Sequence, residues 1–90
     1  MTEEKTTPEQ GKLVGKISHY FAKIGVAVID LSDILKQGDD IRIVGGETDF
    51  NQKADSMEID RQKVDKAKNG DSVGMKVDQK VREGYKVYKI

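Results

Sequence analysis

Gly25-Val26-Ala27-Val28-Ile29-Asp30-Leu31, followed shortly by Leu35-Lys36-Gln37-Gly38-Asp39-Asp40-Ile41-Arg42-Ile43-Val44-Gly45, decides the fold class. Residues 26–29 are apolar at every position, as in a strand covered on both faces. Lys36 to Asp39 form a turn in which Gly38 supplies the positive φ that other residues avoid. In 40–44 the spacing puts Ile41 and Ile43 on one face, and Gly45-Gly46 breaks the strand.

The β signal extends outward in both directions. Residues 13–21 read as a first strand, with Ile17, His19 and Phe21 on one face by the two-residue period, and 23–25 as the turn after it. Residues 50–59 read as a fourth strand, with Met57 and Ile59 inward near its end, and 64–68 as one helical turn. Residues 72–77 show the clearest alternation: Val73, Met75 and Val77 inward against Ser72, Gly74 and Lys76 outward. Asn69-Gly70-Asp71 and Arg82-Glu83-Gly84 are tight turns, and 85–90 is the last strand. Six strands joined by short turns predict an all-β domain over 12–90, a sandwich or a closed barrel. A barrel is expected because closure removes exposed edges. Residues 1–11 are polar, include the only proline, and are expected to be a disordered tail.

Ninety residues allow one domain with a modest core and leave little room for a deep catalytic cleft. Without cysteine there is neither a disulfide framework nor a thiolate metal site. The apolar run 24–29 is far too short to cross a bilayer, and no basic-then-apolar leader opens the chain, so a cytoplasmic monomer is expected. Sixteen basic and sixteen acidic residues cancel, which argues against strong non-specific nucleic-acid binding. The charges are uneven, however. Residues 30–60 carry nine acids against three bases, whereas 80–90 carry Lys80, Arg82, Lys86 and Lys89 against Glu83. A folded barrel could show these segments as opposite faces, but a solvated surface of mixed sign is expected.

Catalytic and cofactor motifs fail on inspection. Gly70-Asp71-Ser72-Val73-Gly74 matches the nucleophile-elbow pattern, but a strand rather than a helix follows, and the only histidine, His19, precedes the serine. Asn51-Gln52-Lys53-Ala54-Asp55 only loosely matches a guanine-specificity motif, and no phosphate-cradling loop accompanies it, so no nucleotide is expected. Asp39-Asp40 and the acids at 47 and 49 lack the spacing and central glycine of a calcium loop. No enzyme activity, cofactor or metal is expected. The binding candidates are basic residues interleaved with aromatics: Lys16, Tyr20 and Lys23 near the first strand, and Arg82, Lys86 and Tyr88 in the last segment.

The strand-turn-strand stretch quoted first, with Ser56-Met57-Glu58, residues 67–74 and the Arg82-Glu83-Gly84 turn, resembles the second domain of elongation factor Tu and related translational GTPases. It resembles still more closely the stand-alone elongation-factor-like proteins. It is similar too to the barrel attached to some collagenase-like peptidases involved in RNA modification. The resemblance covers about 15–90. It implies a closed six-stranded Greek-key barrel without its GTPase neighbour, a translation-protein domain 2-like fold. By this resemblance the module would bind RNA, such as tRNA or ribosomal RNA, or a protein of the translation or RNA-modification machinery. The alternative is a protein-interaction adaptor or detached accessory domain, acting in trans with an enzyme and without RNA contact.

Overall fold

The computed structural model describes residues 11–90, and within them every regular element is a strand. In chain order these are β1 (Lys12–Phe21), β2 (Val26–Leu31), β3 (Leu35–Lys36), β4 (Asp40–Gly45) and β5 (Thr48–Lys53). They continue as β6 (Glu58–Ile59), β7 (Gln62–Lys63), β8 (Lys66–Ala67), β9 (Ser72–Lys76) and β10 (Lys86–Lys89). Eight of them form one sheet in the order β5-β4-β10-β1-β2-β9-β6-β7, and β3 pairs with β8 apart from it.

The all-β expectation holds, but the closed six-stranded barrel does not. The large sheet ends at β5 and β7, which do not pair with each other. The expected strand over 50–59 splits: β5 stops at Lys53, Ser56 adopts a positive φ of 55°, and β6 then pairs with β9 rather than β4. The helical turn expected at 64–68 is instead β8, whose Ala67 lies opposite Leu35. Most of the expected tail, residues 1–10, lies outside the described residues. Gly11 already packs on the last strand, where a Cβ would stand 2.2 Å from the Lys89 carbonyl oxygen.

The core is wholly apolar among the described residues. Val14, Ile17, Ile29, Leu35, Ile41, Ile43, Met57, Val73, Met75 and Val87 are all but inaccessible, and no polar or charged side chain is buried. Each such Ile or Val adds about 1.5–3 kcal/mol of burial. The alternation read in 72–77 is present, with Val73, Met75 and Val77 buried.

β1 departs from the simple period. Ile17 pairs with Ile29 and the next register pair is His19 with Val28, so Ser18 is an extra residue in a bulge. A bulge moves every later side chain to the other face. Ile17 is therefore buried, His19 and Phe21 face outward, and Tyr20 turns toward the core as a half-buried neighbour of it. The His19 and Phe21 rings, expected on the same face as Ile17, meet on the outer surface with centroids 4.5 Å apart.

Charges of both signs share the surface around β4, and one pair, Lys89 with Asp39, joins the basic segment to the acidic one. Arg42 holds Asp49, Lys53 Nζ lies 2.7 Å from Asp40, and Lys89 Nζ lies 3.7 Å from Asp39. Strand pairing of β4 with β5 and β10 interleaves the two signs.

Candidate functional site

β1, the first strand, pairs with the last strand β10 on one side and with β2 on the other, and so assembles the candidate site. On its outer face Lys16 lies opposite Lys86 of β10 on one side and Asp30 of β2 on the other, with Ser72 of β9 beyond Asp30. All four are exposed, while Val14, Ile17, Ile29, Val73 and Val87 fill the reverse face. Like charges directly opposite each other on a sheet repel. Asp30 does not offset the repulsion through an ion pair: its Oδ1 accepts a hydrogen bond from Ser72 Oγ at 2.8 Å. Among the described residues, neither Lys16 nor Lys86 forms an ion pair.

The two lysines border a groove of about 440 Å³ whose walls include Leu13, Ile17, Leu31 and Asp30. Gly15 lets the strands close beneath it, since a Cβ there would stand 2.7 Å from Ile29 Cγ2. Tyr88, half-buried, lies two residues beyond Lys86, opposite Leu13 and Arg42.

The residues proposed from sequence thus fall into two groups. Lys16 and Lys86 come together at this groove, with Tyr88 beside it. Tyr20 and Arg82 line a second depression of about 740 Å³, together with Glu47, Lys80 and Tyr85. Lys23 sits in the turn between β1 and β2 and lines neither. Tyr20 is half-buried against the core, and Phe21 is the exposed aromatic at the end of β1.

Sequence reasoning missed Leu13 and Leu31 as groove walls and Tyr85 as the wall of the second depression. It also missed an exposed apolar surface of Phe21 (46% exposed) and Ile24 (62%), flanked by Val26 and Val28 and edged by Glu58 and Arg61. Ile24, an isoleucine in a turn, was the available signal.

Local electrostatics are modest. Hydrogen bonding by the Arg42 guanidinium holds the Asp49 carboxyl below its usual range. The Lys12 ammonium and the Ile34 backbone N–H do the same for Asp33. His19 Nδ1 lies 3.4 Å from Glu83. Among the described residues, no three His, Cys, Asp or Glu side chains gather as metal ligands, and no helix is long and apolar enough to cross a membrane.

No family model matches the chain. It is 40% identical over 76 residues to an uncharacterized protease of Methanocaldococcus jannaschii, a match covering 83% of this chain and 19% of that protein. It is 37% identical over 82 residues to a collagenase of Porphyromonas gingivalis, covering 89% of this chain and 23% of the collagenase. The chain therefore spans about a fifth of the length of these relatives.

Two crystal structures of one domain share its fold. Both are of the C-terminal domain of a protein from Geobacillus thermoleovorans named as a U32 peptidase. The selenomethionine variant gives a TM-score of 0.83 at 20% identity, covering 87% of this chain and 99% of that one. The other gives 0.82 at 19% identity, covering 97% and 99%.

These findings correct the likeness to translation elongation factors and the RNA-binding role drawn from it. The relatives carry protease and collagenase names, in line with the likeness to collagenase-like peptidases noted beside it. The physical reason lies in what the shared motif reports. Its glycines at 25, 38, 70 and 84 all sit at positive φ. They record how the backbone turns, which is specific for fold and silent about partners.

Proposed function

We propose that this chain is a non-catalytic accessory domain that folds as one unit over 12–90 and works beside a peptidase-type catalytic body, as a detached partner or as part of a longer chain. One observation carries this reading: the match takes in 83% of this chain but only 19% of the M. jannaschii protease. The counterpart of the whole domain is thus a small part of a protease. Ser72 supports it as well, because its hydroxyl is engaged by Asp30 within a continuing strand rather than raised on a turn beside a base. The domain meets polypeptide, with Lys16, Lys86 and Tyr88 as one set of contacts, Tyr20 and Arg82 as another, and Lys23 at the margin.

The test uses the P. gingivalis collagenase with its matching segment deleted. This chain, fused in place of that segment or added in trans, is expected to restore collagen cleavage lost on deletion, and to cleave no peptide alone. Peptide hydrolysis by the isolated chain would refute the reading, as would a truncated collagenase that keeps full activity or gains nothing from the chain.

A further inference from the structure

We infer that the groove between Lys16 and Lys86 is a carboxylate-binding site for an acidic segment of polypeptide with apolar neighbours. This rests on the reading of the chain as a peptidase accessory domain and names the chemistry of what that domain grips.

The register carries the argument. Lys16 and Lys86 stand directly opposite on adjacent strands, and such strands run about 4.8 Å apart. Two stems rising side by side can bring both ammonium groups onto one carboxylate, whose two oxygens accept both. Without an anion the pair is repulsive, and among the described residues no carboxylate pairs with either lysine. The nearest candidate on the row, Asp30, is held by Ser72 instead. Its carboxylate stays on the groove wall, where it can accept an N–H from an extended peptide.

The remaining walls select the rest of the ligand. Leu13, 45% exposed at the groove mouth, offers apolar surface to a side chain flanking the acid, above the floor where Leu31 is buried. A nucleic acid is the poorer occupant. No aromatic lines this groove for a base to stack on, and Asp30, opposite Lys16, adds repulsion for every phosphate of a continuous run, whereas a single carboxylate meets it once and has both lysines to offset it.

The experiment titrates the isotope-labelled full chain with a fluorescent peptide of alternating leucine and glutamate, with its leucine-glutamine counterpart, and with a single-stranded oligonucleotide of the same net charge. The glutamate peptide is expected to bind saturably, shifting the amides of Leu13, Lys16, Leu31 and Lys86. The glutamine peptide and the K16Q/K86Q variant are each expected to weaken binding by about tenfold or more, the loss of charge-assisted hydrogen bonds. Both lysines are exposed, so the variant should fold, and its melting curve checks this. Equal binding of the glutamine peptide, undiminished affinity of K16Q/K86Q, shifts confined to the Tyr20–Arg82 depression, or tighter binding of the oligonucleotide would each overturn the site. The collagenase complementation separates the two claims. If the chain complements but binds no acidic peptide, only the groove assignment fails; if it does not complement, the accessory reading fails whatever the peptide does.

Discussion

The Tyr85 ring occupies the space that a side chain at position 45 would need: a Cβ on Gly45 would stand 2.1 Å from Tyr85 Cδ1 and 2.3 Å from its Cγ. Gly45 is not at positive φ, so its constraint is packing rather than backbone strain. The contact joins the end of β4 to the segment entering β10 and fixes one wall of the Tyr20–Arg82 depression. Gly45→Ala should therefore cost about 1–3 kcal/mol by overpacking. In a Tyr85→Ala background the same change should cost much less. Urea melts of the four proteins in the cycle measure this coupling, and additive costs would refute it.

The turn between β6 and β7 places Asp60 at φ 52° and Arg61 at φ 67°. Two successive left-handed residues suit a tight hairpin, and Asn-Gly is the preferred filling. Asp tolerates this region better than Arg, whose Cβ crowds the backbone. Arg61→Gly should raise stability by about 0.5–1 kcal/mol, the relief of strain exceeding the entropy that glycine adds to the unfolded chain. An unchanged or lowered melting temperature would show that the turn holds arginine without strain.

How much of this was legible in the sequence depended on whether the signal was local. Val73 and Met75 read correctly because β9 is regular along its pairing with β2, and Val77 keeps the period just beyond it, where its N–H donates to the Gly25 carbonyl. Gly25, Gly38, Gly70 and Gly84 marked turns correctly because each needs positive φ. The bulge at Ser18 left no such mark, so the faces of His19, Tyr20 and Phe21 were assigned in reverse. The split of 50–59 into β5 and β6 was hidden because neither Ala54 nor Ser56 breaks a strand by type. The Lys16–Lys86 pair was named residue by residue but not as a pair. Its proximity comes from β1 meeting β10, a long-range pairing that periodicity does not report.

Acid should weaken the fold through two surface carboxylates. Asp33 and Asp49 are both held below the usual aspartate range, by Lys12 and Arg42 respectively. A depressed folded-state value means that the stabilisation is present above the ordinary range and is lost as pH falls through the lower folded value. The urea midpoint should therefore drop between about pH 5 and pH 2. Asp33→Asn with Asp49→Asn should drop less across the same window. Because both groups are exposed the effect is small, and identical slopes for the two proteins would show that neither pair contributes.

The lysine pair makes a prediction about stability that is independent of any ligand. On β10 Lys86 has Lys16 on one side and Val44 on the other. Lys86→Glu turns the repulsive contact into an attractive one and creates no new like-charge pair across the strands. Cross-strand opposite charges contribute about 0.2–1 kcal/mol, which for a domain of this size raises the melting temperature by about 1–8 °C. Lys16→Glu is the control, because it would gain Lys86 but set a carboxylate opposite Asp30, so its net gain should be smaller. Both gains should shrink in about 1 M salt, where charges more than about 3 Å apart are screened. A stabilisation that survives salt would come from packing, and a loss of stability in Lys86→Glu would show that the two lysines do not repel each other in the folded chain.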